Sequence, residues 1–238
     1  MPPHVDMKTT DKRPLDAIET WVFDLDNTLY SPASRLFDQI HRRMTEWVAD
    51  LLKVSLDEAR ALQRQYFLQH GTTLRGLMSV HGIDPAPFLD YVHDIDLSNV
   101  PPNLALGAAL AALPGRKLVF TNGSVRHARR ILARLGIDEH FPDIFDIEAA
   151  AYVPKPDPSG YQTLIERFRF DPKRAAMVED IPKNLAPAAA LGMTTVWVTG
   201  GPDWAREGGD ADYVHYAIDD LTAFLIAAGA AHDAAARR

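Results

Sequence analysis

Short apolar runs that end in polar residues alternate with amphipathic stretches over much of the chain. Trp21-Val22-Phe23 is followed by Asp24, and a second run at 117–120 is followed by Thr121. Runs of this length, bounded by polar residues, favour buried strands of a parallel sheet. Further short runs at 144–147, 175–178 and 194–198 alternate with helical segments at 125–135, 160–168 and 183–191. The pattern predicts an α/β fold, a doubly wound parallel sheet with helices on both faces.

The stretch from residue 31 to residue 99 has the periodicity of helices and no strand pattern. Its first part carries apolar residues at helical spacing, among them Leu36, Ile40 and Trp47. Ser55 followed by Glu58 is a capping-box pattern that opens the next helix. We therefore predict an all-helical insert at 31–99, which interrupts an α/β core made of residues 17–30 and 100–226.

The two ends of the chain differ in composition from the rest. Residues 1–16 mix Pro, His and charged residues without an apolar run, which predicts a flexible leader and no secretory signal. Residues 227–238 are rich in Ala, which is typical either of a frayed helix end or of a disordered tail. Before the last helix, residues 212–214 predict a final edge strand. No apolar window is long enough to predict a membrane-spanning helix.

The composition of the chain excludes several classes of binding partner and of reactive site. The 238 residues include 25 Lys and Arg against 32 Asp and Glu, a formal net charge of −7. Such a balance gives no electrostatic footprint for a nucleic-acid polymer or an anionic membrane, so we expect neither as a partner. The absence of cysteine excludes disulfides, thiolate metal sites and cysteine nucleophiles. We expect a cytoplasmic protein, and the sequence leaves its oligomeric state open.

Charged and polar side chains collect at the predicted carboxyl ends of the strands, the edge where open parallel sheets bind ligands. The segments that meet there are 24–30, 121–124, 154–158 and 179–184, and they include the carboxylates Asp24, Asp26, Glu179 and Asp180. Taken singly, each polar residue could simply cap a helix or fill a turn. Brought together, the carboxylates would repel one another, and a hard divalent cation such as Mg²⁺ would remove that repulsion.

The spacing of Asp24 and Asp26 suits phosphoryl transfer. Two residues apart on a curling chain, both side chains can face one ligand. One carboxylate can then attack phosphorus in line while the other gives a proton to the leaving oxygen. The groups that would hold the phosphoryl oxygens are Lys155, the Thr121 hydroxyl and the backbone N–H groups near Asn122 and Gly123.

Four segments resemble, in order, the motifs of the haloacid dehalogenase superfamily. They are Phe23-Asp24-Leu25-Asp26-Asn27-Thr28-Leu29, then Phe120-Thr121-Asn122-Gly123, the Lys155 segment, and Val178-Glu179-Asp180 with Asn184. The resemblance implies that Asp24 is the nucleophile and forms an aspartyl-phosphate, and that Asp26 is the general acid and base. It also implies that Thr121 and Lys155 bind phosphate.

The same resemblance implies a Mg²⁺ site. Its ligands would be Asp24, the Asp26 backbone carbonyl and Asp180, with Glu179 acting through water. Asn184 stands where many members carry a second acidic residue, and we expect it to orient the ligands. Dehalogenases of the superfamily lack an acid at the position of Asp26, so the chain resembles the phosphatases. The helical insert resembles the cap of members that act on small phosphate monoesters, and we call residues 31–99 the cap.

Within the cap, the stretch Leu74-Arg75-Gly76-Leu77 resembles the pyrimidine 5′-nucleotidase branch, which implies hydrolysis of UMP and CMP. Arg75, at a turn beside Gly76, could contact phosphate, ribose or base, and Tyr30 or Tyr66 could stack on the base. Alternatively, Tyr66 belongs to the cap core and Arg75 pairs with a cap carboxylate. Phosphoglycolate or a sugar phosphate is the alternative substrate. A phosphomutase and a non-catalytic phosphate-binding module are further alternative hypotheses.

Overall fold

The computed structural model describes residues 13–201 and 205–237, and the strands of this part form one sheet. They are β1 (Thr20–Phe23), β2 (Arg116–Phe120), β3 (Asp143–Phe145), β4 (Ala175–Glu179), β5 (Thr194–Val198) and β6 (Tyr216–Ile218). Their order is β3-β2-β1-β4-β5-β6, and every neighbouring pair is parallel. The order reverses at β1, so the predicted ligand edge lies beside the first strand.

Helices alone make up the regular structure between residues 36 and 92. They are α1 (Leu36–Leu52), α2 (Leu56–His70), α3 (Thr73–His81) and α4 (Pro85–Val92). The predicted capping box is present at the start of α2, where Ser55 and Glu58 bond each other's backbone N–H groups. Gly71 ends that helix with a positive φ of +83°, which glycine adopts more readily than other residues.

The core helices cover both faces of the sheet, which confirms the doubly wound prediction. They are α5 (Leu104–Ala112), α6 (Val125–Leu135), α7 (Pro158–Phe168), α8 (Leu185–Ala190) and α9 (Leu221–Ala236). In the central strand, Trp21 and Phe23 pack into one apolar cluster and Val22 into another, and all three are fully buried. A strand that is buried on both faces of a sheet has a continuous run of apolar residues, which explains the run at 21–23.

The last strand lies further along the chain than predicted. Residues 212–214 lie in a turn and loop, in which the N–H of Val214 donates to the carbonyl of Ala211, and β6 begins only at Tyr216. The prediction of a strand at 212–214 was wrong because the apolar residues Tyr213 and Val214 contact the core from a turn and loop and not from a strand. Both side chains pack against the cluster that contains Val22.

The predicted leader makes contact with the core before residue 16. Residues 1–12 lie outside the described residues, but the guanidinium of Arg13 donates to the carbonyl of Gly192 and the Tyr216 hydroxyl donates to the carbonyl of Arg13. Residues 15–17 then form a short 3-10 helix. The part of the leader that the structure describes is therefore packed against the sheet.

The C-terminal segment continues the last helix. Helix α9 runs to Ala236, and Ala228 within it is fully buried, so the predicted boundary at residue 226 falls inside a helix. For residues 227–236, the structure has a helix end and not a disordered tail. Trp204, for which the sequence indicates no role, lies outside the described residues. Among the helices described, none has the length and apolar character needed to cross a membrane.

Candidate active site

A buried lysine at the carboxyl edge of the sheet holds two carboxylates together. The Nζ of Lys155 lies 2.6 Å from Oδ1 of Asp24 and 2.6 Å from Oε2 of Glu179, and it donates to the carbonyl of Phe120 at 3.0 Å. The three charged side chains are all more than nine-tenths buried. Asp24 follows β1 and Glu179 ends the adjacent β4, so parallel pairing brings the two carboxylates to one point.

Asp180 adds a third carboxylate to this cluster. Asp24, Glu179 and Asp180 each offer an oxygen within 4.8 Å of the others, and all three are buried. Burial and the nearby charge of Glu179 raise the pKa of Asp24 to about 7, against the opposing effect of Lys155. The same two causes raise the pKa of Asp180 well above its usual range. A buried set of carboxylate oxygens short of positive charge fits a hard divalent cation such as Mg²⁺.

Asn184 fixes the orientation of Glu179 within the cluster. Its side-chain Nδ2 donates to Oε1 of Glu179 at 3.0 Å, and the backbone N–H of Ile181 donates to the same oxygen at 3.3 Å. The other oxygen of Glu179 is thereby turned towards Lys155. Asn184 is itself buried, and its carbonyl accepts a hydrogen bond from the Tyr161 hydroxyl.

The segment after β1 turns back on itself and brings its polar side chains to one side. Asn27 adopts the left-handed conformation, with φ of +62°, which Asn tolerates better than most residues. The N–H groups of Thr28 and Leu29 both donate to the carbonyl of Leu25. The turn directs the hydroxyl of Thr28 to Oδ2 of Asp24, 3.0 Å away, so both oxygens of this carboxylate have a partner.

Asp26 accepts two hydrogen bonds on a single oxygen. Its Oδ1 lies 2.6 Å from the Tyr30 hydroxyl and 2.9 Å from Nε2 of His127. Burial raises the pKa of Asp26, but the charge and hydrogen bond of His127 and the hydrogen bond of Tyr30 outweigh it and lower the pKa to about 2. Without substrate, Asp26 is therefore an anion at neutral pH. It must receive a proton before it can protonate a leaving group.

The loop after β2 packs tightly against the neighbouring loops. The hydroxyl of the buried Thr121 accepts from the N–H of Gly123 at 2.9 Å, and the Asn122 side chain accepts from the N–H of Lys155 at 2.9 Å. A Cβ on Gly123 would lie 3.2 Å from the ring of His127 and 3.3 Å from Oγ1 of Thr121. The glycine therefore permits a close approach that a side chain would crowd.

Arg75 lies near the boundary between cap and core. It belongs to helix α3, so the predicted turn at Arg75 was wrong; Thr72, the N-cap, accepts the hydrogen bond from its N–H. The charge of Arg75 contributes to lowering the pKa of Asp157, after the larger effects of hydrogen bonds from Ser159. Arg75 is thus close to the loop that carries Lys155.

The two candidate stacking residues are both buried. Tyr66 is 5% exposed; its hydroxyl lies 2.7 Å from Nε2 of His81, and its ring meets His70 edge-on. This environment agrees with the alternative in which Tyr66 belongs to the cap core. Tyr30 is also 5% exposed, and its hydroxyl is occupied by Asp26. Base stacking by either ring stays a prediction.

Two histidines at this site were not singled out from the sequence. His127, on the first turn of α6, contacts Asp26, and His93, just after α4, stacks on His127 with ring centroids 4.3 Å apart. Both are buried. The available signal was the position of His127, three residues beyond Ser124 on a helix that starts at the ligand edge. Nothing comparable in the sequence points to His93.

The comparison with known families identifies a match to most of the chain. Residues 18–192 match the family described as "Hydrolase: haloacid dehalogenase-like hydrolase". This range contains every residue of the cluster around Lys155, together with Asp26 and His127. It also contains the whole cap, so the match covers the two parts of the chain that enclose the candidate site.

Individual relatives agree with that match. The chain is 30% identical over 202 residues to the "Phosphoglycolate phosphatase" of Rhodospirillum rubrum, covering 78% of this chain and 80% of that protein. It is 28% identical over 199 residues to "Phosphate metabolism protein 8" of Saccharomyces cerevisiae, covering 76% of this chain but only 61% of the yeast protein.

A solved structure supports the fold independently. The crystal structure of CbbY from Rhodobacter sphaeroides in complex with phosphate superposes with a TM-score of 0.62 and 21% identity, covering 91% of this chain and 99% of that one. At this level of identity, the likeness concerns the fold alone. The parallel sheet and its flanking helices are therefore those of an established architecture.

Proposed function

The chain belongs to the family of haloacid dehalogenase-like hydrolases, and on that premise we propose that it is a Mg²⁺-dependent phosphatase that acts through a phosphorylated Asp24. The observation that carries the proposal is the buried 2.6 Å contact between Asp24 and Lys155, beside Glu179 and Asp180. A nucleophilic carboxylate in a buried site needs nearby positive charge to be ionised. The lysine supplies part of it, and the carboxylate cluster can hold the ion that supplies the rest.

The proposed reaction has two steps that share Asp26. Asp24 attacks the phosphorus of the monoester, the bond from phosphorus to the ester oxygen breaks, and that oxygen takes a proton from Asp26. Water then attacks the phosphorus of the aspartyl-phosphate and gives a proton to Asp26. Phosphate leaves, and Asp24 is restored for the next cycle.

The phosphoryl oxygens are held by groups from two loops. Lys155 and the Thr121 hydroxyl bind them, together with backbone N–H groups near Asn122 and Gly123. Asp24, Asp180 and the Asp26 carbonyl would hold Mg²⁺, with Glu179 acting through water. When bound there, the ion supplies positive charge that offsets the charge of the phosphoryl oxygens.

For the substrate, we propose pyrimidine nucleoside 5′-monophosphates, UMP and CMP. The proposal is supported by the sequence of α3 around Arg75 and by the position of that residue close to Asp157. At Gly71, just before α3, an added Cβ would lie 3.0 Å from Pro154, so this part of the cap meets the loop of Lys155. A guanidinium at such a boundary can bond phosphate, ribose or a base carbonyl across the cleft.

Phosphoglycolate is the second candidate, because the relative from Rhodospirillum rubrum carries that name and is 30% identical. Sugar phosphates belong to the same alternative. A phosphomutase would use the same groups but would return the phosphoryl group to another position of the sugar. A non-catalytic phosphate-binding module is the least supported reading, since Asp26 supplies an acid that mere binding does not need.

Phosphate release from a substrate panel tests these alternatives. The panel comprises UMP, CMP, AMP, GMP, phosphoglycolate and several sugar phosphates, each measured with Mg²⁺ and with EDTA. We expect release that needs Mg²⁺, with the highest kcat/KM for UMP and CMP, and no release by Asp24→Asn. Preference for another phosphate would refute the nucleotidase proposal and leave the phosphatase proposal intact. Absence of release from every compound would refute both.

A further inference from the structure

The two hydrogen bonds to Asp26 place the two oxygens of its carboxylate in different environments. Both the Tyr30 hydroxyl and Nε2 of His127 contact Oδ1. The hydrogen bonds that the Asp26 carboxylate makes within residues 13–201 and 205–237 thus converge on Oδ1. The Asp26 side chain is 17% exposed, whereas that of His127 is 1% exposed. The carboxylate is therefore anchored through one oxygen, and Oδ2 is the atom at which a proton can be gained and lost.

The ring of His127 is held in place from the cap side. His93 lies just after α4, the last cap helix, and its ring is stacked on that of His127 with centroids 4.3 Å apart and planes 13° apart. Nδ1 of His93 lies 3.1 Å from the Ser124 hydroxyl, at the N-cap of the helix that carries His127. The carbonyl of His93 accepts from Nη1 of Arg130 at 2.6 Å, which ties the end of the cap to α6.

We propose that His127 is the positioning residue for the proton transfers of Asp26, and that His93 holds the His127 ring in the orientation this requires. The inference rests on the phosphatase function proposed above. With Oδ1 fixed by Tyr30 and His127, the carboxyl group cannot rotate freely, and Oδ2 carries the proton to the ester oxygen as the P–O bond breaks. The same oxygen takes the proton of the attacking water in the second step.

The cap contributes to this arrangement even though it supplies no donor to Asp26 itself. His93 lies in the last part of the cap, directly after α4, so its stacking depends on the position of that part. The orientation of reacting groups contributes strongly to reaction rates. A general acid that is displaced from hydrogen-bonding distance of the leaving oxygen therefore lowers the rate. The stacked pair of histidines therefore links the position of the cap to the orientation of the Asp26 carboxyl group.

Substitutions by the two amides provide a matched pair of variants. In His127→Gln, the side-chain NH₂ reaches approximately the position of Nε2 and can still donate to Oδ1. In His127→Asn, the NH₂ lies one bond nearer the backbone and the donor is withdrawn. For the cap side, His93→Phe keeps a flat ring for stacking, and His93→Ala removes it. Thermal unfolding of all four variants identifies any that do not fold.

The readout is the dependence of kcat/KM on the leaving group. An alkyl phosphate, the best substrate of the panel, needs a proton on its leaving oxygen, whereas p-nitrophenyl phosphate releases a stable anion that needs none. Since positioned acids contribute about 10²–10⁴-fold, we expect His127→Asn to lose about 10²-fold on the alkyl ester and much less on the aryl ester. His127→Gln should recover most of the loss, and His93→Ala should lose more on the alkyl ester than His93→Phe.

A merely structural role for His127 would lower activity on both esters by the same factor. That result, or equal activities of the Gln and Asn variants, would overturn the inference. If the Asn variant does not fold, the Gln variant and Tyr30→Phe keep it testable, because Tyr30→Phe removes the other donor and should show the same selective loss. If the unsubstituted protein released no phosphate from either ester, the proposed function itself would fail, which is a distinguishable outcome.

Discussion

The ammonium group of Lys155 lies 2.6 Å from the Asp24 carboxylate, and it is shared with Glu179 at the same distance. With Asp180 in contact range, one cation faces three buried carboxylates. The cluster is held together by this lysine and short of positive charge because of the third acid. Two consequences can be measured: the protein should depend on Lys155 for stability, and its affinity for a divalent ion should depend on pH.

Removal of the lysine should destabilise the fold strongly. In Lys155→Met, the carboxylates lose their buried partner, and breaking a buried ion pair from one side costs about 3–5 kcal/mol. Urea unfolding at pH 8 in EDTA would measure the loss. Lys53→Met is the matched control, since Lys53 pairs with Asp50 at 2.8 Å on the surface, where its side chain is 78% exposed. The control should change stability by less than about 0.5 kcal/mol, and equal effects would contradict this account of the cluster.

Stabilisation by Mg²⁺ should increase with pH. Because the pKa of Asp24 is about 7 in the folded protein, above its value of 3.8 in an unfolded chain, the folded state holds an extra proton between these values. The stability from this group is present below pH 4 and is lost as pH rises through 7. The raised pKa of Asp180 acts in the same direction. Mg²⁺ takes the place of the proton on Asp24, so protons compete with the ion more at pH 6 than at pH 8.

The measurement is the difference in Tm with and without Mg²⁺ at the two pH values. Comparing Tm with and without the ion cancels the effect of groups outside the carboxylate cluster, such as His93, whose pKa is lowered to about 3 mainly by burial. We expect the larger Tm increase at pH 8, and a smaller increase for Asp180→Asn at that pH. An increase that is equal at both pH values, or larger at pH 6, would contradict the assignment of these carboxylates as the ion's ligands.

Gly76 should be required for the packing of the cap. A Cβ at this position in α3 would overlap Tyr66 of α2. Overpacking of this kind costs about 1–3 kcal/mol, so Gly76→Ala should lower the free energy of unfolding by that amount. Gly107→Ala is the control, because it is also in a helix and its Cβ would lie 3.7 Å from Ile137, an ordinary contact. The control should be neutral or stabilising by up to about 1 kcal/mol.

Arg75 should affect the binding of nucleotides more than the chemical step. Its guanidinium lies near Asp157 and not in the buried cluster, so Arg75→Gln should raise KM for UMP while kcat changes little. With p-nitrophenyl phosphate, which lacks ribose and base, a role in recognising those groups predicts unchanged KM, whereas a role in binding phosphate predicts an increase. An unchanged KM for both compounds would instead favour a purely structural role.

The sequence indicated the centre of the site because parallel strands impose it. Asp24 and Glu179 follow or end adjacent strands, and Lys155 precedes a helix at the same edge, so topology alone brings them together. The histidines could not be predicted in this way. Whether His127 contacts Asp26 depends on which side of helix α6 faces that residue. Whether His93 contacts His127 depends on the course of the chain directly after α4. Apolar pattern also misled us at Tyr213, whose side chain packs against the core from a turn.

Detection of a phosphoryl group on Asp24 tests the central claim most directly. The protein is mixed with Mg²⁺ and its best substrate, quenched in acid within the first turnover, digested and analysed by mass spectrometry. We predict one phosphoryl group on the peptide containing Asp24, assigned to that residue by fragmentation, removed by hydroxylamine and missing from Asp24→Asn. Phosphate release at the normal rate with no phosphorylated peptide at any quench time, or with the group on another residue, would contradict the account.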